Sequence, residues 1–164
     1  ESSAVSIEEN FVLLCATGIF LDLSPFQPDE INRFRANRIG YNGIGIVFHN
    51  DWEGNEFFDN EFKGNFVPVA VRGSGGATHN VWQGNYWDDY QGFDRDQNDR
   101  GDLPYELYAY ADQMWMDIPA TGFFRGSPLF EVIQFLDRLA PFSEPKLVLR
   151  DEAPRFSFAE QAQP

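Results

Sequence analysis

Short runs of alternating apolar and polar residues dominate the first 90 positions. Asn32-Arg-Phe34-Arg-Ala-Asn37-Arg-Ile39 returns 23 residues later as Asn55-Glu-Phe57-Phe-Asp-Asn60-Glu-Phe62. It returns 25 residues after that as Asn80-Val-Trp82-Gln-Gly-Asn85-Tyr-Trp87, with both Asn columns moving together. Ile7, Asn10 and Val12 form a weaker, earlier copy. Each motif is followed by a second alternation: Gly18-Ile19-Phe-Leu21, Ile44-Gly-Ile46-Val-Phe48, then Val67-Pro-Val69-Ala-Val71. A period of two predicts strands. A repeat in the low-to-middle twenties predicts one solenoid coil, which buries its inner face only by stacking on its neighbours. Leucine-rich repeats share that period, but here β-branched and aromatic residues stand where they need Leu. The expected fold is all-β, a right-handed parallel β-helix. Its inward side chains are Ile7, Val12, Ile19, Leu21, Phe34, Ile39, Ile44, Ile46, Phe48, Phe57, Phe62, Val67, Val69, Val71, Trp82 and Trp87.

The Asn columns read as structural. Asn at a coil corner tolerates the left-handed backbone region, and its amide can bond the Asn of the next coil. Pro68 inside a strand run predicts a coil end, an edge or an outward position. The stretches 24–29 and 73–76 read as loops between coils. Cys15, flanked by Leu-Leu and Ala, is expected to be a small buried hydrophobe, and a single Cys allows no internal disulfide.

After Trp87 the repeat gives way to Asp94-Arg-Asp96-Gln-Asn98-Asp-Arg-Gly101-Asp102. Oxygen ligands at alternate positions of a tight loop suit a hard cation, best Ca²⁺. Asp94, Asp96, Asn98 and Asp102 are the side-chain ligands, with the Arg100 carbonyl a fifth. It is not an EF-hand, because the turn position holds Asp99 and the twelfth Tyr105. Ser127-Pro128 then opens a predicted helix to Pro141, with Leu129, Val132, Ile133, Leu136, Leu139 and Ala140 on one face. Phe135 widens that face and Phe130 stands apart from it. Residues 146–150 can form a short strand, and the last residues look frayed. The chain therefore divides into coils (1–90), an acidic loop with a capping segment (91–126), and a helix with a docking tail (127–164).

Charge narrows the function. Twelve Lys and Arg against 26 Asp and Glu give a net charge of −14. That disfavours nucleic acid, and docking by charge on an anionic lipid surface. Seventeen Phe and a 43% apolar share argue against disorder. No apolar run reaches the length of a transmembrane helix. The chain opens at Glu1 in mid-pattern and reads as a processed or excised piece.

Asn-x-Phe-x-x-Asn coils ending in Gly84-Asn85-Tyr86-Trp87-Asp88-Asp89-Tyr90, the run from Phe93 to Tyr105, and the later Ser127-Pro128 helix together resemble the C-terminal portion of the NosD family. The resemblance runs from about Asn32 to about Ala140. It implies a periplasmic β-helix protein, longer than this chain, that is not an enzyme. Such proteins work with an ABC-type transporter of ATPase and membrane subunits in assembling the copper clusters of nitrous-oxide reductase. The implied partners are the permease subunit, a copper donor or chaperone, and nitrous-oxide reductase, with the membrane reached only through the permease. Phe130, Phe135 and Leu139 are the helix residues expected to help meet the permease. The sequence departs from the family's loop pattern at Asp99, where Gly is usual.

Soft or borderline copper ligands are few: His49, His79, Met114, Met116 and Cys15. Met114-Trp115-Met116 lies in an apolar stretch, where Met ordinarily fills core gaps. The two His fall in neighbouring inter-coil regions and read singly as surface residues. A transient or shared copper site, completed by a donor or the permease, is the expectation. Two other readings compete: a carbohydrate-active β-helix enzyme and an adhesion solenoid. The first needs grouped carboxylates or an Arg/Lys base on an outer sheet, whereas Arg33, Arg35, Arg38, Glu56, Asp59, Glu61 and Lys63 are mixed in sign.

Overall fold

The computed structural model describes residues 2–27, 29–50, 53–73, 75–109 and 145–157. The first coil consists of β1 (Ser6–Glu8), β2 (Phe11–Leu13) and β3 (Thr17–Leu21). The second consists of β4 (Asn32–Arg35), β5 (Arg38–Gly40) and β6 (Ile44–Phe48), and the third of β7 (Asn55–Phe58), β8 (Glu61–Lys63) and β9 (Val67–Val71). A fourth, shorter turn holds β10 (Val81–Gln83) and β11 (Tyr86–Trp87). Equivalent strands pair in parallel, giving sheets ordered β1-β4-β7-β10, β2-β5-β8-β11 and β3-β6-β9. The register follows the sequence repeat: Asn32 faces Asn55, Phe34 faces Phe57, and Phe62 faces Trp87. The chain is a parallel β-helix. Pro68 lies on the edge strand β9, where its missing N–H costs least.

Stacking places like residues above one another, so the core is built of aromatic columns. Phe34, Phe57 and Trp82 stack with centroids 4.7 and 4.1 Å apart. Phe62, Trp87 and Tyr105 continue a second column at 4.2 and 4.4 Å. Tyr105 belongs to an antiparallel pair, β12 (Tyr105–Ala109) with β13 (Lys146–Asp151), which adds Val148 and Leu149 to the same core. This pair covers the apolar end that an open solenoid would leave in water. At the opposite end Ile7, Val12 and Ile19 are only partly buried.

The corners hold three Asn ladders, one more than the repeat predicted. Asn32 Nδ2 donates to Asn55 Oδ1 and Asn55 Nδ2 to Asn80 Oδ1, each at 3.0 Å. Asn10, Asn37, Asn60 and Asn85 form the second, at 3.2, 2.9 and 3.0 Å. Asn42 and Asn65 form the third, at 3.0 Å. At most rungs the left-handed conformation falls on the residue before the Asn rather than on the Asn: Glu9, Ala36, Tyr41, Gly54, Asp59, Gly64 and Gly84 have positive φ, while Ile31 and His79, before Asn32 and Asn80, do not. This corrects the expectation that Asn itself takes that backbone. The Asn side chain instead satisfies corner backbone groups that no strand partner reaches, as where Asn60 Nδ2 donates to Phe34 O at 2.9 Å. Cys15 occupies the first-coil position of the third ladder, with its N–H on Asn42 Oδ1 at 2.9 Å. Its thiol is exposed, not buried, because the corner turns its side chain outward.

The predicted helix over 127–141, with Phe130, Phe135 and Leu139, lies outside the described residues, as do Met114 and Met116. Among the described residues there is no helix. Ser157 is tied to Asp99, and the last residues, 158–164, lie outside the described residues.

Candidate functional site

The acidic loop folds on its own side chains. Asp94 Oδ1 accepts from Asn98 N at 3.1 Å, and its Oδ2 from Asp99 N at 2.9 Å. Asp102 Oδ2 accepts from Arg95 N at 3.0 Å, and Asn98 Oδ1 from Arg100 N at 2.8 Å. Asn98 Nδ2 donates to Asp96 Oδ2 at 2.8 Å. These are the local turns that Asp and Asn form when the chain reverses, and Gln97 and Asp99 take positive φ within them. The loop thus brings Asp94, Asp96, Asn98 and Asp102 into one turn. Each carboxylate keeps lone pairs beyond those given to N–H groups. Among the described residues, however, no three His, Cys, Asp or Glu side chains converge as a metal site.

The same loop is buckled to the tail and the third coil. Phe156 N donates to Asp99 O at 3.0 Å, Ser157 N to Asp99 Oδ1 at 2.8 Å, and Gly101 N to Pro154 O at 2.8 Å. Arg100 Nη2 reaches Asp59 Oδ1 at 3.2 Å, and Arg155 Nη2 reaches Glu61 Oε1 at 3.1 Å. The tail contacts carry no local sequence signal, since they join residues about 60 to 90 positions apart.

Three of the soft or borderline donors lie among the described residues, on different turns of the fold. His49 follows β6, exposed, with Nδ1 3.6 Å from Asp22 Oδ1 and its ring edge-on to Phe20 at 6.4 Å. His79 is exposed in the turn before Asn80. Cys15 is at the corner between β2 and β3, with Sγ 3.3 Å from Leu13 O. Among the described residues these three donors do not make a resident copper centre, which needs two or more convergent soft ligands or a set of imidazoles.

The outward carboxylates of the third coil are engaged. Glu56 pairs with Arg33 at 3.2 Å, Glu61 with Arg38 at 2.8 Å, and Asp59 with Arg100. Beneath the last coil, Tyr105 donates its hydroxyl to Asp89 Oδ2 at 3.3 Å. Burial, with Asp89 and Asp88 beside it, pushes that phenol well above its ordinary range. Tyr90 is raised as well, first by burial, while it donates to Leu103 O at 2.6 Å.

Known proteins are similar to this chain in sequence. The family model described as "Periplasmic copper-binding protein (NosD)" matches residues 1–92. A "Probable ABC transporter binding protein NosD" of Stutzerimonas stutzeri is 31% identical over 128 residues, which is 75% of this chain and 27% of that protein. One of the same name from Pseudomonas aeruginosa is 31% identical over 111 residues, which is 67% of this chain and 26% of that protein. The chain spans about a quarter of the length of the curated relatives it matches.

Proposed function

The chain belongs to the NosD family, and on that premise we propose that it serves as a non-catalytic scaffold in the periplasm. It docks the permease of an ABC-type transporter and a copper donor during copper-site maturation of nitrous-oxide reductase. The observation that carries this reading is the family match across the coils, joined to relatives named as transporter-binding proteins. Copper enters as cargo: among the described residues His49, His79 and Cys15 belong to no cluster of metal ligands, and any copper site is shared with a partner that supplies the remaining ligands. His49, His79, Met114 and Met116 are the residues this chain offers. Phe130, Phe135 and Leu139 help meet the permease. The loop from Asp94 to Asp102 takes a Ca²⁺ ion that braces the end of the stack. The engagement of Glu56, Asp59 and Glu61 by arginines supports a scaffold over a glycosidase, which needs a free acid/base pair.

The test is copurification. Tagged full-length protein, expressed with its cognate transporter, should retain the permease and ATPase subunits in mild detergent. Cells lacking the full-length protein should make nitrous-oxide reductase deficient in copper. A fully metallated reductase in those cells would sink the maturation role.

A further inference from the structure

The third ladder carries a chemical weak point. Asn42-Gly43 is the sole Asn-Gly pair among the 164 residues. Every other ladder Asn is followed by Phe, Arg, Glu, Val or Tyr. Those side chains hinder approach to the backbone nitrogen that follows the Asn, and Gly does not. The fold itself demands this glycine, because a Cβ on Gly43 would lie 2.6 Å from Ala16 O of the first coil. The close stacking that excludes a side chain therefore places the most labile kind of Asn pair at a corner.

Such a pair loses ammonia. The Gly nitrogen attacks the Asn Cγ and gives up its proton, the side-chain nitrogen leaves as ammonia, and a five-membered succinimide forms. Water then opens the ring to aspartate or isoaspartate. The reaction needs a side-chain amide free to swing onto an unbonded backbone nitrogen, and in the stack neither is free. Gly43 N donates to Cys15 O at 2.8 Å. Asn42 Nδ2 donates to Val12 O at 2.9 Å and to Asn65 Oδ1 at 3.0 Å, while Asn42 Oδ1 accepts from Cys15 N at 2.9 Å. Asn42 is also buried. All but the Asn65 bond reach the first coil, so parting the first coil from the second releases the nitrogen and most of the amide together.

The product cannot retake the rung. Asn42 Nδ2 faces two acceptors, Val12 O and Asn65 Oδ1. A carboxylate oxygen in its place sets acceptor against acceptor, buries a negative charge and leaves both partners without a donor. Isoaspartate also adds a carbon to the main chain, just before the pairing of Ile44 with Thr17.

We infer that Asn42-Gly43 is a deamidation site gated by the fold. It is closed while the coils are stacked, opens when the first and second part, and bars their return once converted. The test follows full-length protein by peptide mapping and mass spectrometry, at neutral pH, in buffer and in unfolding guanidinium chloride. Only opened molecules react, and ladder positions open rarely, so Asn42 should convert about tenfold or more faster in denaturant than in buffer. In denaturant it should also outpace Asn55 and Asn60, which precede glutamates. Equal rates in buffer and denaturant would remove the gate. A rate in denaturant no higher than that of Asn55 and Asn60 would remove the site. After dilution of the denaturant, refolded protein separated by gel filtration should be depleted of converted Asn42 relative to material that fails to refold. The same content in both, or full recovery with Asn42 converted, would show that the converted chain restacks and would overturn the bar to return.

Discussion

At the scale of single residues, the second Asn ladder ends on a different acceptor. Asp151, fully buried, takes Asn85 N and Asn85 Nδ2 on Oδ2, at 3.0 and 2.9 Å. Its Oδ1 takes Gly84 N at 3.1 Å, and Trp87 Nε1 reaches Oδ2 at 3.3 Å. Every group around it is a donor, so the site needs two acceptor oxygens. Asp151→Asn should therefore destabilise the fold by about 1–3 kcal/mol, although Asn fits every other rung. Urea unfolding of the two proteins measures this, and equal midpoints would refute it. The residues before the Asn give a second contrast. At Gly84, φ +72°, a Cβ would sit 2.2 Å from Arg100 Nη1 and 2.7 Å from Asp59 Oδ1, so Gly84→Ala should be destabilising by about 1–3 kcal/mol. At Ala36, φ 52°, Ala36→Gly should be neutral or stabilising by up to about 1 kcal/mol. The Asn repeat was legible because the same side chain recurs in every coil. The third column was not, since Cys15 replaces Asn in the first coil and the fourth turn offers no third Asn. Cys15 was misjudged for a related reason: Leu13 and Leu14 look like core residues, and only the corner geometry turns them out.

Among the elements, the strands were the most legible part. Alternation gave the inward residues, and the repeat gave the pairing, because parallel coils stack like on like. Residues 146–150 read as a strand, but nothing local says that β13 pairs with β12, or that Tyr105 joins the Trp87 column. That pairing has a consequence at high pH. The Tyr105 phenol ionises well above its ordinary value in the folded protein, chiefly because it is buried. A folded pKa raised above the unfolded one contributes stability that is complete below about pH 10 and declines above it. Alkaline unfolding, followed by the near-ultraviolet signal of the aromatic columns, should shift to higher pH in Tyr105→Phe. An unchanged alkaline midpoint would show that this phenol does not control it.

Across the whole molecule, the acidic loop is where three parts separated in sequence are fastened together. It grips the tail through Asp99 and Gly101, and the third coil through Arg100 and Asp59. The alternating Asp and Asn residues were legible as a turn rich in oxygen ligands. Its role as a buckle was not, because the partners at 154–157 lie far along the chain. A Ca²⁺ held by Asp94, Asp96, Asn98 and Asp102 would bind the folded buckle and not the open chain, and so stabilise the whole stack by linkage. At a hundred times its dissociation constant the gain is about 2.7 kcal/mol, enough to raise the melting temperature by several degrees. Chelator should reverse that rise. Asp94→Ala with Asp102→Ala should remove the response to Ca²⁺ and, by releasing Arg95, Asn98 and Asp99 N–H groups, lower the melting temperature even without the ion. Trypsin gives an independent reading, since Arg95 and Arg100 both lie in the loop. Cleavage there should slow with Ca²⁺ and quicken in the double variant. Equal melting and equal cleavage with saturating Ca²⁺ and with chelator would mean that the buckle holds through its hydrogen bonds alone.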